Sequence, residues 1–130
     1  MTASSSTLAP SSHQDTFARE HLPPHAEWPV FVFDRPEVQY PAQLNATLEL
    51  VDVHVQNGRG DRPALQGMGR PDHQSGFTWT YRQLREQVDR IAQVLTLDMK
   101  LVSGNRVLLR GGNSPMMAAC LLACFKSGLV

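Results

Sequence analysis

The sequence predicts an α/β fold in which helices pack on a partial sheet that includes a β-hairpin and a truncated βαβ unit. Three observations carry this expectation. Apolar residues recur at helical spacing from Leu84 to Leu95, two short β-type runs flank a turn-rich segment, and a strand, turn, helix and incipient strand follow one another from Arg106 to Val130. The last succession is a βαβ crossover cut at its final element.

Residues 1–27 are rich in Ser, Thr, Pro and His and show no hydrophobic period, so they are expected to form a disordered tail ahead of a domain spanning 28–130. The run Trp28–Phe33 turns apolar and β-branched before Asp34-Arg35-Pro36 interrupts it, which suggests an extended segment laid against a core. A helix is expected after Leu44, with Asn45 as N-cap, a stripe of Leu44, Leu48, Val51 and Val55, and a stop at Asn57-Gly58.

Pro63–Gln66 and Phe77–Trp79 read as the arms of a hairpin, joined by the turn-rich segment Gly67–Gly76 with a mobile tip. Thr80-Tyr81-Arg82-Gln83 has the form of a capping box, and the stripe behind it is Leu84, Val88, Ile91 and Leu95. Ser103-Gly104-Asn105 should turn the chain into a buried parallel strand at Arg106–Leu109. Gly111–Asn113 then leads to a helix capped by Ser114, opened by Pro115 and stopped at Gly128.

That last helix is apolar around nearly its whole circumference from Met116 to Phe125, so it must be covered on more than one side. Leaving half of Met116, Met117, Leu121, Leu122 and Phe125 uncovered would forfeit on the order of 4–8 kcal/mol. The chain by itself is therefore expected to fold poorly and to expose an adhesive surface.

Composition narrows the function classes. Hydrophobic residues make up 42% and charged residues 18%, as in ordinary globular chains, and 12 basic residues balance 12 acidic ones. Zero net charge without a like-charged run argues against a nucleic-acid partner or an anionic membrane. The apolar run Met116–Phe125 is about half of the roughly 20 residues that a membrane span requires. The N-terminus lacks a signal-peptide pattern, and the chain is read as cytoplasmic.

Few residues suggest chemistry. Gly111-Gly112-Asn113 lies where a strand hands over to a helix, a place that can bind anions, but neither G-x-G-x-x-G nor G-x-x-x-x-G-K-[ST] occurs, and a tight turn is the simpler reading. His21 and His25 are four apart, but Pro23 and Pro24 forbid the helix that would make them a ligand pair. Asp52 and His54 do not face one another on a helix and read as a solvated flank. Cys120 and Cys124 sit in apolar surroundings that raise a thiol pKa rather than activate it. From these residues alone, a small non-catalytic module that binds nucleotide at the Gly111-Gly112 turn, or that docks by an unpaired strand edge, remains the alternative reading.

Four segments, in order, resemble the AMP-forming acyl-CoA synthetase superfamily: Gly60-Asp61-Arg62-Pro63-Ala64-Leu65, Thr78-Trp79-Thr80-Tyr81-Arg82-Gln83-Leu84, Gly104-Asn105-Arg106-Val107 and Cys124-Phe125-Lys126-Ser127-Gly128-Leu129-Val130. Asn105 stands where that pattern has Asp, and Ser127 where it has Ala. Tyr40-Pro41, Leu44-Asn45-Ala46, Asp52-Val53-His54 and the run Arg106–Met117 look most like 2-aminobenzoate and benzoate-type CoA ligases. The resemblance implies the N-terminal part of that family's large domain. It implies an enzyme that uses ATP and Mg²⁺ to convert an aromatic carboxylate to its acyl-adenylate and then transfers the acyl group to coenzyme A. It places the phosphate loop, the acid pocket and the catalytic lysine beyond Val130, so no residue of this chain takes a catalytic, cofactor-binding or metal-binding role, and Lys126 is not that lysine. The 130 residues alone are expected to be inactive.

Overall fold

Thr80 starts the helix that organises the fold. In a computed structural model describing residues 10–30, 35–67 and 76–130, the Thr80 hydroxyl accepts from the Gln83 N–H at 3.2 Å and the Gln83 side chain accepts from the Thr80 N–H at 2.9 Å. This is the expected capping box. The two remaining N–H groups of the first turn are also satisfied: Tyr81 donates to the Arg62 carbonyl at 3.1 Å and Arg82 to the Gly60 carbonyl at 2.8 Å. The helix, α3, runs over Tyr81–Gln93 and continues into a π-turn at Val94–Asp98.

In chain order the other elements are α1 (Phe17–Glu20), short 3₁₀ turns at His25–Glu27 and Pro36–Val38, a π-turn at Leu48–Asp52 running into α2 (Val53–Gln56), strands β1 (Pro63–Gly67) and β2 (Phe77–Thr80), and α4 (Pro115–Lys126). The architecture is mixed α/β. Strands β1 and β2 form the expected antiparallel hairpin, paired Pro63 with Thr80, Leu65 with Trp79, Gln66 with Thr78 and Gly67 with Phe77, with an irregularity between Pro63 and Leu65. Most of its connection, 68–75, lies outside the described residues, as do 31–33 of the apolar run expected to lie against the core. Within that run Trp28 is described, and its indole N–H donates to the Pro23 carbonyl at 2.7 Å.

The core lies where α3 crosses α4. Leu84 and Val88 from α3, Ala119 and Ala123 from α4 and Val51 from the π-turn are buried, with Leu65, Trp79, Ile91, Leu95 and Leu122 packed around them. The stripe expected on α3 is thus the stripe that packs. On α4 the Ser114 hydroxyl accepts from the Met117 N–H at 3.2 Å, Pro115 opens the helix as expected, and Gly128, at φ +67°, follows its end. The residues it buries are the small ones, whereas Met116, Leu121 and Phe125 are exposed. Leu122, grouped with the uncovered residues on sequence grounds, instead packs against the core.

Two expectations need correction. Asn45 does cap its helix, its side-chain oxygen accepting from the Thr47 and Leu48 N–H groups at 3.1 and 3.3 Å. The stripe behind it differs: Leu44 and Leu48 are exposed, and the buried face is Thr47, Val51 and Asp52. The π-turn widens the helix locally, so a 3.6-residue period misplaces the face by about one residue. The Thr47 hydroxyl uses that face to donate to the Leu122 carbonyl at 2.6 Å.

The second correction concerns Arg106–Leu109, which is not a buried strand. Val107 and Leu109 are half-buried, while Leu108 is 92% exposed. The parallel pairing itself is present at one point. The Val130 N–H donates to the Asn105 carbonyl at 2.9 Å and the Val107 N–H to the Val130 carbonyl at 2.7 Å, which is the bond pattern of a parallel bridge between Arg106 and Val130. Among the described residues nothing else pairs with this segment, and an edge paired at one point leaves every second side chain in solvent.

Candidate functional site

The densest cluster of titratable groups gathers residues that no local pattern connects. Asp52 from the π-turn, Arg85 and Asp89 from α3 and Lys126 from the last turn of α4 meet beside the core. The Lys126 ammonium lies 3.0 and 2.9 Å from the two oxygens of Asp52 and donates a short hydrogen bond to Asp89. The Arg85 guanidinium approaches Asp52 at 3.2 Å and Asp89 at 3.5 Å. The Asp52 side chain is only 5% exposed and Lys126 only 21%.

Partial burial by itself pushes the Lys126 pKa down. Hydrogen bonds to Asp89 and then Asp52, together with their charges, outweigh that effect and hold it above the ordinary lysine value. Two cations and two carboxylates are ion-paired with one another, although one buried oxygen of Asp52, 2.9 Å from the Lys126 ammonium, accepts no hydrogen bond. The cluster fastens α4 to α3 and to the π-turn, helped by the Asn45 amide, which donates to the Lys126 carbonyl at 3.0 Å.

This arrangement corrects the reading of Asp52 and His54 as a solvated flank. Asp52 is buried in the ion cluster, and the His54 ring packs on Tyr81 with centroids 4.3 Å apart. The link was hidden because Asp52 and Lys126 are 74 residues apart; only the presence of a Lys and an Asp inside apolar runs hinted at a partner. His21 stacks on Phe17 with centroids 3.8 Å apart, and His25 leans on Trp28 at 5.1 Å. Burial, and secondarily the neighbouring Cys120, pushes the Cys124 thiol up, away from reactivity.

The Gly111–Ser114 turn borders an open pocket of about 310 Å³ between the hairpin and the start of α4, lined by Gln66, Gly67, Phe77, Asn113, Ser114 and Pro115 among others. Among the described residues no Lys or Arg lines it, and the Ser114 hydroxyl already caps its own helix. The described lining residues do not supply the convergent cations that a triphosphate calls for. Among the described residues no group of three His, Cys, Asp or Glu side chains could hold a metal ion, and no helix is long and apolar enough to cross a membrane.

The four motifs behind the family resemblance all have scaffold roles here. Gly60–Leu65 supplies carbonyls to α3 and begins the hairpin, Thr78–Leu84 builds the capping box, Gly104–Val107 forms the turn into the parallel bridge, and Lys126 closes the ion cluster.

A family model described as AMP-binding enzyme matches residues 52–130. An acetyl-coenzyme A synthetase of Mycolicibacterium smegmatis is 34% identical over 88 residues, covering 68% of this chain and 9% of that protein. That of Mycobacterium tuberculosis is 36% identical over 88 residues, covering 68% and 13%. That of Rhodopirellula baltica is 33% identical over 112 residues, covering 83% and 15%. The chain thus spans between 9% and 15% of the length of these relatives. With most of its length matched in register, from the buried Asp52 to the bridge at Val130, the chain belongs to the AMP-binding enzyme family.

Proposed function

We propose that this chain forms the N-terminal part of the large domain of a carboxylate–CoA ligase, a domain running from residue 28. The observation that carries the reading is the continuous family match over residues 52–130, where each matched motif has a structural role. The enzyme would join a carboxylate to AMP, releasing pyrophosphate from ATP, and then exchange AMP for the thiol of coenzyme A. ATP, Mg²⁺ and coenzyme A would supply that chemistry, and no step of it is assigned to a residue of this chain. The chain's contribution is the scaffold: α4 packs on α3, and the residues that follow α4, Gly128 and Val130, pair with the backbone of Gly104, Asn105 and Val107.

The acid is the finer question. Relatives named acetyl-coenzyme A synthetases favour a short aliphatic acid. The aromatic-acid reading rests on Tyr40-Pro41, Leu44–Ala46, Asp52–His54 and the run Arg106–Met117. A cytoplasmic location belongs to the same proposal.

The test is acid-dependent exchange of pyrophosphate into ATP, using the protein translated from the whole uninterrupted reading frame that contains this chain. Acetate should support faster exchange than benzoate or 2-aminobenzoate, and the 130 residues alone should support none. A preference for benzoate would restore the aromatic reading, and no exchange with any carboxylate would overturn the ligase proposal.

A further inference from the structure

The segment around Asp15 falls within the stretch 1–27 that composition marks as a tail, yet it makes specific contacts with a turn about ninety residues away. The Asp15 N–H donates to the Ser103 carbonyl at 2.8 Å, and the Gln14 N–H donates to the Ser103 hydroxyl at 3.0 Å. One oxygen of the Asp15 carboxylate accepts from the Asn105 amide at 2.8 Å and lies 3.5 Å from the Arg106 guanidinium; the other accepts from the Phe17 N–H at 3.0 Å. The Arg106 guanidinium covers the Phe17 ring, 4.0 Å from its centroid.

The turn is shaped to receive this segment. Gly104 is buried at φ +92°, and a Cβ there would overlap the Asp15 carbonyl oxygen, so only glycine allows both the backbone conformation and the approach. The Asn105 side chain uses both ends: its oxygen accepts from the Val102 N–H at 3.0 Å and its nitrogen serves Asp15. The opposite side of the same turn carries the parallel bridge, with the Gly104 N–H donating to the Gly128 carbonyl at 2.7 Å and the Asn105 carbonyl accepting from Val130.

We propose that Val102–Arg106 is a recognition site for an acidic–aromatic segment, filled in cis by Asp15-Thr16-Phe17, and that this clasp fixes the turn on which the parallel bridge at Val130 is built. Asn105 is its specificity residue, because an amide can donate to the Asp15 carboxylate where a second carboxylate would repel it. Gly104 is its steric gate.

Amide hydrogen exchange on the full 130-residue chain at neutral pH tests this. Gln14 and Asp15 should exchange at least about tenfold slower than in an unstructured peptide. Gly104→Ala and Asn105→Asp should each abolish that protection while the amides of Leu84 and Val88 keep theirs. Asp15→Asn combined with Asn105→Asp should restore it, since amide again faces carboxylate. Free exchange at Gln14 and Asp15 in the unaltered chain, with the amides of Leu84 and Val88 protected, would overturn the clasp, whatever the variants do. Full protection in Asn105→Asp, or a double variant no better than that single change, would overturn the assigned role of Asn105.

Discussion

Helices α3 and α4 lie side by side and fill one core, but they do so by different rules. On α3 the large apolar residues Leu84 and Val88 are buried and the opposite face is charged. On α4 nearly every residue is apolar; Ala119, Ala123 and Cys124 are buried, the two alanines in the core shared with α3, leaving Met116, Leu121 and Phe125 outside. Small residues on one helix admit the large residues of the other at close approach, so the inner face of α4 is chosen by size rather than by hydrophobicity. An amphipathic helix announces its face; a uniformly apolar one leaves the choice to its neighbour.

Truncating the large partner gives the widest separation between the two helices. Leu84→Ala should lower the urea-unfolding free energy by about 2–5 kcal/mol through lost burial and a cavity. A loss under about 1 kcal/mol would mean that Leu84 is not at the centre of the packing.

Enlarging the small partner comes next. Ala119→Leu should cost about 1–3 kcal/mol in the same measurement, because Ala119 is fully buried in the core between the helices. A neutral result would show that α4 buries a different face.

The ion cluster joins the two helices and sharpens the comparison through pH. Lys126→Met leaves Asp52 buried with Arg85 as its remaining partner, and a loss of about 1–3 kcal/mol is expected. The folded-state pKa of Lys126 is raised, so its stabilisation is fully present below the ordinary lysine value and is lost as pH rises through the higher folded value. Melting temperature should therefore fall at strongly alkaline pH in the unaltered chain, and Lys126→Met should flatten that part of the profile.

The two helices start alike, each with a hydroxyl accepting from the third N–H. Thr80→Ala and Ser114→Ala should each cost about 1 kcal/mol. Unequal costs, read by denaturation, would show which helix depends more on its own first turn.

The smallest effect belongs to the outer face of α4. Leu121→Gln should change stability by no more than about 0.5 kcal/mol. Together with Phe125→Gln it should reduce the binding of a hydrophobic dye. If these changes unfold the chain, that face is covered and the contrast between the helices fails.

Legibility in the sequence followed the range of the interactions. The capping box at Thr80, the caps at Asn45 and Ser114, the two arms of the hairpin and the stripe on α3 depend on residues within a few positions of each other, so pattern and chemistry were enough to place them. The family resemblance was readable for a related reason, since its motifs are runs of adjacent residues with fixed local roles. Tertiary structure alone decided the rest. It shifted the first helix by a π-turn so that Thr47 rather than Leu48 met α4, and it selected alanines for the inner face of an apolar helix. It drew Asp52 to Lys126 across 74 residues and Asn105 to Asp15 across 90. Those pairings cost chain entropy that no local signal reveals, and they form because burial leaves a charge or an amide better satisfied by a distant partner than by none.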